Sequence, residues 1–491
     1  VTYSLLNIPG LPTWADTTLV VIDMLIRVVA ICWIPYNRKP SVALGWLMAI
    51  FLIPYVGIVA FLVISSTYLP RGRRERQTHM NEIIREQIGD QPILGDATGL
   101  REPDIAAAKL NYKLGSLPMA GGNHLKFIRD NHEAMNLMAE EVDKAKEYVH
   151  FEFYIVAYDA TSAPLLDSLF RAHRRGVKVH IMVDQLGSAG YPGYSRLVKM
   201  LNDSGISWRR SLPIRPWRGE YQRPDLRNHR KILVIDGDVA FSGSQNIIDR
   251  SYNKRANLRK NLAWKDLMLR VEGPMVDELN ALFISDWYSE TGDLLLDEVD
   301  QDLPAVDSGV RAQVVPSGPG FETENNLRLI NHLIYNAERR IIICSPYFVP
   351  DDSLKMALTT AAQAGVEIHV IVCEKGDQFF PHFGQRSYYE ALLENGINLH
   401  LYPAPTVLHS KFMLIDDDVS FIGSSNMDQR SFALNLEVSL LILDKEITGQ
   451  LEEIADEYLE TSFAINYDEW RQRPLRLKAL ENVCRLTSGL L

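Results

Sequence analysis

The chain has 491 residues, enough for several domains, and carries a net charge of −11 with a pI near 5.6, so no global basic field marks it as a dedicated nucleic-acid binder. Its four cysteines, Cys32, Cys344, Cys373 and Cys484, have no CxxC or paired spacing, which excludes a disulfide framework and leaves reduced thiols, buried or facing lipid.

In chain order, residues 1–70 read as membrane sequence. Val42 to Ile64 is a 23-residue run without a charge, long enough for a bilayer core of roughly 30 Å, and Pro54 and Gly57 are tolerable in such a span. Thr17 to Ile34 is a second apolar stretch, and its Asp23 and Arg27 are spaced i,i+4 to pair on one helix face. Trp14, Trp33, Tyr36 and Tyr68 fit interfacial belts. The expectation is a two-helix transmembrane hairpin. Arg71, Arg73, Arg74 and Arg76 outweigh Arg38 and Lys39 in the short loop, which places the hairpin's N-terminus and the large remainder in the cytoplasm. The cluster reads either as a contact for anionic headgroups or as a stop-transfer flank.

Residues 71–125 read as a helical connector broken at Pro92, Pro103 and Pro118. From there the pattern alternates: helix Asn131–Glu147, strand Val149–Val156, helix Ala163–Arg174, strand Val177–Val183. The order recurs as helix Asn325–Glu338, strand Arg340–Val349, helix Ser353–Gln363 and strand Val366–Val372. RRGVKVHIMVD at 174–184 matches QAGVEIHVIVC at 363–373, so two α/β halves, 126–296 and 310–462, follow from an internal duplication. The acidic stretch Asp297–Asp307, with Pro304, is the expected seam.

WRRSLPIRPWRGEYQRPDLRNHR (208–230) sets seven arginines against Glu220 and Asp225, interleaved with Trp208, Trp217 and Tyr221. It reads as a lid over anionic headgroups, or as a solvated loop; beside a membrane anchor, lipid is favoured over nucleic acid.

Two motif copies carry the chemistry. HRKILVID holds His229, Lys231 and Asp236; HSKFMLID holds His409, Lys411 and Asp416. Each runs into a second shared block, with Gly243, Ser244 and Asn246 in SGSQN and Gly423, Ser424 and Asn426 in IGSSN. The offsets agree, 243 − 229 and 423 − 409 both being 14. The β-rich run between His and Asp reads as a buried strand, so each His shares a face with its Lys while the Asp ends the strand in a tight turn. A lysine on the histidine's own face repels a cation and attracts an oxyanion, so no metal and no cofactor is expected. Two Lys and two Asn, Asn246 and Asn426, would surround a phosphate, and Ser244 and Ser424 would add hydrogen bonds. A third HxK, His124-Leu125-Lys126, has Asn131 in place of the Asp and no Gly-Ser-x-Asn after it, and reads as accidental.

The duplicated HxK(x)4D followed by Gly-Ser-x-Asn resembles the phospholipase D superfamily. Within it the chain is similar to bacterial cardiolipin synthases through RKPSVALGWLMAIFLIPYVGIVAFLV, SGPG at 317–320, SPYFVPDD at 345–352 and DQRS after the second block. The resemblance implies an α/β fold of two similar α/β/α sandwich halves with mixed sheets. It also implies a membrane transferase that moves a phosphatidyl group between two phosphatidylglycerol molecules through a phosphohistidine. His229 would be the nucleophile and His409 the acid/base. In the superfamily an acid downstream of each motif holds a catalytic histidine's Nδ1–H; Asp266 and Glu437 match that place, a surface ion pair being the competing reading. A phospholipase D-type hydrolase would use the same residues with water as acceptor; a nucleic-acid phosphodiesterase fits the charge and the apolar N-terminus less well. The expected partners are phosphatidylglycerol, cardiolipin and anionic membrane lipid, with no nucleic acid; a homodimer is compatible. The expected location is the bacterial inner membrane. The basic tail 463–491 reads as an interfacial or a packing helix.

Overall fold

The computed structural model describes residues 13–36, 38, 40–65, 69–88, 94, 97–215, 217, 220–298, 309–321 and 324–486. Lys39, Tyr68, Pro92, Pro304, Arg218, most of the 297–307 seam and the last residues of the tail lie outside them. The chain divides into two compact units, Val1–Thr67 and Tyr68–Leu491.

In the first unit, α1 spans Thr13–Trp33, α2 Pro40–Leu52 and α3 Pro54–Ile64. The uncharged run is therefore not one 23-residue helix. Pro54 opens α3 at its first turn, where its missing N–H costs nothing, and Ile53 leaves the helical region at φ −136°, ψ 75°. The chain then doubles back. A Cβ on Gly57 would stand 2.7 Å from Ile50 Cα and 2.8 Å from the Ala49 carbonyl, so only glycine lets α3 lie this close to α2. Phe61 meets Trp46 at 5.5 Å and Trp33 at 5.7 Å, and the Arg38 guanidinium covers its ring at 4.8 Å. Asp23 and Arg27 pair at 2.9 Å on α1. Among the described residues no helix is long and apolar enough to cross a membrane.

The second unit opens with α4 (Arg71–Ile88) and α5 (Glu102–Gly115). Its strands are β1 (Ala120–Ile128), β2 (Tyr148–Phe153), β3 (Lys178–Asp184), β4 (Ser207–Ser211), β5 (Lys231–Ile235), β6 (Val239–Gly243), β7 (Ala263–Lys265) and β8 (Met268–Glu272) in the first half. The second half has β9 (Val310–Ser317), β10 (Arg340–Cys344), β11 (Phe348–Val349), β12 (Glu367–Cys373), β13 (Asn398–Tyr402), β14 (Thr406–Leu408), β15 (Phe412–Ile415), β16 (Val419–Gly423), β17 (Met427–Asp428), β18 (Glu437–Leu443) and β19 (Phe463–Ala464). One 15-stranded sheet runs β19-β13-β12-β10-β15-β16-β18-β9-β1-β8-β6-β5-β2-β3-β4. Read outward from the central β9–β1 pair, the two halves repeat the same order, antiparallel inside and parallel further out, and the second half adds β19 antiparallel to β13 at its edge. The halves are thus not two separate sandwiches: the antiparallel β1–β9 pair, Ala120↔Ala312, fuses their mixed sheets.

Helices cover both faces. Asn131–Lys144, Ala163–Arg174 and Tyr194–Ser204 bury Met135, Met138, Leu165, Leu169 and Leu197 against the first half. Met275–Thr291 and Lys445–Thr461 lie over a core shared by both halves. Burying each such Leu or Met contributes roughly 1.5–3 kcal/mol. Asp130, Asp351 and Asp444 cap helices by accepting their first free amides, which is why each helix starts where it does.

The connector does more than connect. Arg73 donates to both Glu290 oxygens at 2.7 Å, while Asn111 Nδ2 donates to the Val314 carbonyl at 3.0 Å, so α4 grips the first half and α5 the second. The first half also begins at β1, before residue 126. His124 and Lys126 are both exposed on β1, as an accidental HxK would be. In the tail, helix Leu475–Arg485 packs on Phe379–Glu394, its buried Glu481 accepting from Arg386 and Arg473 at 2.9 and 3.0 Å.

Candidate active site

Each motif opens a central strand. Lys231 starts β5 and Lys411 immediately precedes β15, and in both the ammonium curls back to donate to its own histidine's carbonyl, at 2.7 and 2.6 Å. The two stretches meet through short parallel pairings across the halves. His229 N donates to the Leu436 carbonyl at 2.8 Å, and His409 N donates to the Lys265 carbonyl at 2.7 Å, extending the β14–β7 pair.

These pairings cross the acids over. His229 Nδ1 lies 2.8 Å from Glu437 Oε2, a residue of the second half. His409 Nδ1 lies 2.7 Å from Asp266 Oδ1, a residue of the first. Neither half holds its own histidine. The carboxylates have matching surroundings: Ser244 Oγ donates to Asp266 at 2.7 Å and Ser424 Oγ to Glu437 at 2.5 Å, while Asn131 and Asn435 donate to their second oxygens at 3.3 and 3.2 Å. With Nδ1–H held by a carboxylate, each imidazole keeps its lone pair on Nε2.

The serines are therefore committed to carboxylates, not to a phosphate, because a hydroxyl has one proton to donate. Asn246 is also committed: its Oδ1 accepts from Ile155 N at 3.2 Å and its Nδ2 donates to the Tyr252 hydroxyl at 2.8 Å. Asn426 differs, its buried Oδ1 having no hydrogen-bond partner among the described residues.

Asp236 and Asp416 stand apart from the imidazoles. Seven residues of extended chain put each roughly 20 Å from its histidine. Asp236 accepts from the amides of Lys146, Glu147 and Tyr148 at 2.7–2.8 Å. Asp416 accepts from those of Glu338, Arg339 and Arg340 and from Arg101 Nη1 at 2.9 Å. Both adopt positive φ, 52° and 54°, at the turn closing the strand pair. They clamp the chain entering β2 and β10, so their place in the motif is a folding device rather than a catalytic one.

Electrostatics decide what the site can hold. Burial pushes His229 down to about 4, with Glu437 opposing and Lys231 and Lys411 adding to the fall. Burial and Lys411 likewise lower His409. Burial lowers Lys231 to about 7 and Lys411 to about 8, each held up in part by Asp266 and Glu437. Burial would raise Asp266, yet His409 beside it holds it down to about 2. His229 likewise holds Glu437 below the usual carboxylate range against its burial. Two neutral nucleophilic nitrogens and two ammoniums short of negative partners form a site that gains from an anion.

Sequence reasoning missed the residues that make the halves unequal. The Tyr154 ring packs edge-on to His229 with centroids 4.7 Å apart. Arg230, fully buried, pairs with Asp286 and donates from Nε to the Glu437 carbonyl at 3.0 Å. The matching Ser410 lies 3.3 Å from the Tyr458 hydroxyl instead. Nothing in the motif spacing marks these contacts. The arginine-rich segment is not an open lid: Arg223, Arg227 and Arg230 are buried, pairing with Asp225, Asp184 and Asp286, and Arg215 pairs with Glu220. Trp217 remains exposed.

The fold is similar to that of a phosphatidylserine synthase from Haemophilus influenzae Rd KW20, with a TM-score of 0.58 at 17% identity, covering 79% of this chain and 100% of that one. Curated relatives include Cardiolipin synthase A of Serratia proteamaculans (strain 568), 31% identical over 93% of this chain and 94% of its own length. Cardiolipin synthase of Geobacillus sp. (strain WCH70) is 31% identical over 93% and 90%. The family described as cardiolipin synthase, PLD-like domain matches residues 138–287 and 330–459, one stretch in each half and each containing one histidine of the crossed pair. The duplication, the shared site and the relatives agree, and the chain belongs to the cardiolipin synthase PLD-like domain family.

Proposed function

We infer that this chain is a cardiolipin synthase, a phosphatidyltransferase that takes the phosphatidyl group of one phosphatidylglycerol to the free glycerol hydroxyl of another. In the first step His229 Nε2 forms a bond to phosphorus as the bond to the glycerol oxygen breaks, and His409 supplies that oxygen's proton. In the second step His409 takes the proton of the acceptor's primary hydroxyl, whose oxygen displaces the histidine. Two phosphatidylglycerols give one cardiolipin and one glycerol. An anionic phosphodiester between Lys231 and Lys411 offsets their field, which lets His409 carry the proton it must donate. The lysines, and Asn426 through its Nδ2 amide hydrogens, bear the charge of the transition state.

The observation that carries this reading is the crossed pair: two tautomer-fixed imidazoles and two ammoniums in one site, with no Ser or Cys nucleophile aimed into it among the described residues. The assignment of the nucleophile to His229 is supported by Tyr154, which packs on its ring, and by Arg230, which holds the main-chain carbonyl of Glu437. Rapid-quench experiments with labelled phosphatidylglycerol test it. Expected are cardiolipin plus glycerol as products and a phosphatidyl label that accumulates in His409→Ala with a good leaving group, and never in His229→Ala. Label on His409 in the reciprocal variant reverses the roles; sequential kinetics without label removes the covalent step.

The N-terminal unit is the membrane anchor in this reading, with α2 and α3 entering and leaving as a re-entrant pair rather than as a span. What supports it is its surface: Val21, Leu25, Val28, Leu44, Met48, Leu52, Val56, Val59 and Leu62 are all exposed, an apolar coat that water disfavours and lipid accepts. A chain starting at residue 68 is expected to leave the membrane fraction on fractionation; retention there at the full chain's level assigns the anchor elsewhere.

A further inference from the structure

Away from the phosphate site, three titratable side chains of the first half meet at one point. His150 and His180 are register partners on β2 and β3, so their rings leave the sheet side by side. Both turn Nε2 toward one atom, Glu298 Oε2, at 2.7 and 3.4 Å. One ligand atom from each residue lies within 4.8 Å of the others.

The hydrogen bonds around His150 determine which nitrogen bears its proton. Asn280 Nδ2 donates to the Glu298 carbonyl at 2.6 Å and the Tyr148 hydroxyl at 3.2 Å, so Asn280 Oδ1 is an acceptor. That oxygen lies 2.6 Å from His150 Nδ1, which therefore carries the hydrogen. Nε2 is left with its lone pair facing a carboxylate oxygen. Two acceptors at that separation need an electrophile between them. A second proton would place an imidazolium in a fully buried ring stacked on Phe283 at 4.4 Å, which burial opposes. It would also serve one histidine, whereas both rings aim at the same oxygen. His180 Nδ1, buried and without a hydrogen-bond partner among the described residues, leaves that ring free to present Nε2. Among the described residues, the one ammonium at Glu298, that of Lys178, touches the other oxygen at 3.3 Å through a side chain that is 57% exposed and can move into water.

Two imidazoles and a carboxylate suit zinc, with bonds of about 2.0–2.2 Å. We propose that His150 Nε2, His180 Nε2 and Glu298 Oε2 bind one zinc ion, with water as the fourth ligand on the open side of His180. The ion fastens Leu296–Glu298, the turn that leads into the seam between the halves, to the edge of the first sheet. This site is independent of the phosphate chemistry.

The full chain, purified in detergent and stripped with a chelator, is titrated with zinc chloride alone. Expected are about one zinc retained per chain after desalting and a Tm raised by several degrees. Both persist in the His229→Asn/His409→Asn double variant, and both are lost in His180→Asn, which preserves the His150–Glu298 pair. No retained zinc, equal retention in His180→Asn, or zinc that departs with the double variant overturns the proposal. X-ray absorption of the zinc-loaded wild type decides even where a variant fails to fold: two imidazoles with oxygen donors support the site, while sulfur donors or a single imidazole overturn it.

Discussion

At the scale of residues, the crossed acids give the clearest handles. Glu437→Gln keeps the shape but loses the charge that fixes His229, so adduct formation is expected to fall roughly 10²–10⁴-fold. Asp266→Asn acts on His409 instead, slowing both formation and breakdown of the adduct, and a good leaving group rescues formation only. Single-turnover measurements with both donors separate the two; identical behaviour of the variants would show that the acids are not specific to one histidine each. The lysines add a pH dependence. At about 7 and 8 they lose charge in the empty site as pH rises, while a phosphodiester stays anionic. Substrate binding should therefore weaken from about pH 7 to 9 and take up protons, which calorimetry in buffers of different ionisation enthalpy detects. The sign for stability is opposite. Each folded value lies below the ordinary 10.5, so the unfolded chain binds more protons between about 7 and 10.5 and stability rises with pH across that window. Lys231→Met should flatten that rise and abolish turnover; an unchanged slope would mean that Lys231 is not the group responsible.

Among elements, the strand β5 and the run opening β15 carry chemistry at one end and architecture at the other. A period-2 strand separates them by its length: His and Lys at the start reach the site, while the Asp at the end can only serve the neighbouring strand's entrance. Asp236→Asn gives up a charge-assisted acceptor for three amides, a loss of about 1–3 kcal/mol. Its Tm should fall with kcat per folded molecule preserved, and Asp416→Asn, which also loses Arg101, should fall further. A drop in kcat at unchanged Tm would return these carboxylates to the reaction. Pro54 and Gly57 show the same economy in the first unit, where one ends a helix and the other lets the next lie against it.

For the whole molecule, the 15-stranded sheet explains how both halves come to build one site. A single half presents a histidine and an acid that never meet, since the partner of each comes from the other copy. α4 and α5 hold the fused sheet from opposite sides. A chain starting at residue 68 should therefore fold cooperatively and turn over micellar lipid, because residues 68–491 form one compact unit. A chain starting at residue 89 should be markedly less stable, having lost the Arg73–Glu290 pair and the packing of Gln77 against Gly320, where a Cβ would meet it at 2.0 Å. Equal melting of the two would assign α4 to the anchor instead of the fold.

While the two acids came only from the family resemblance, the sequence by itself showed the duplication, the alternation of helices and strands in each half and the repeated histidines and lysines. Local pattern suffices for these: strand alternation, helix periodicity and motif spacing are all properties of short stretches. Only the tertiary structure decided how those stretches serve one another. Which acid meets which histidine depends on parallel pairings between segments 208 and 143 residues apart, and no local signal records them. The same holds for the serines, whose neighbours turned out to be carboxylates, and for the apolar N-terminal run. Hydropathy measures how much of that run is apolar, while its direction depends on one proline and on whether a glycine is packed against the preceding helix.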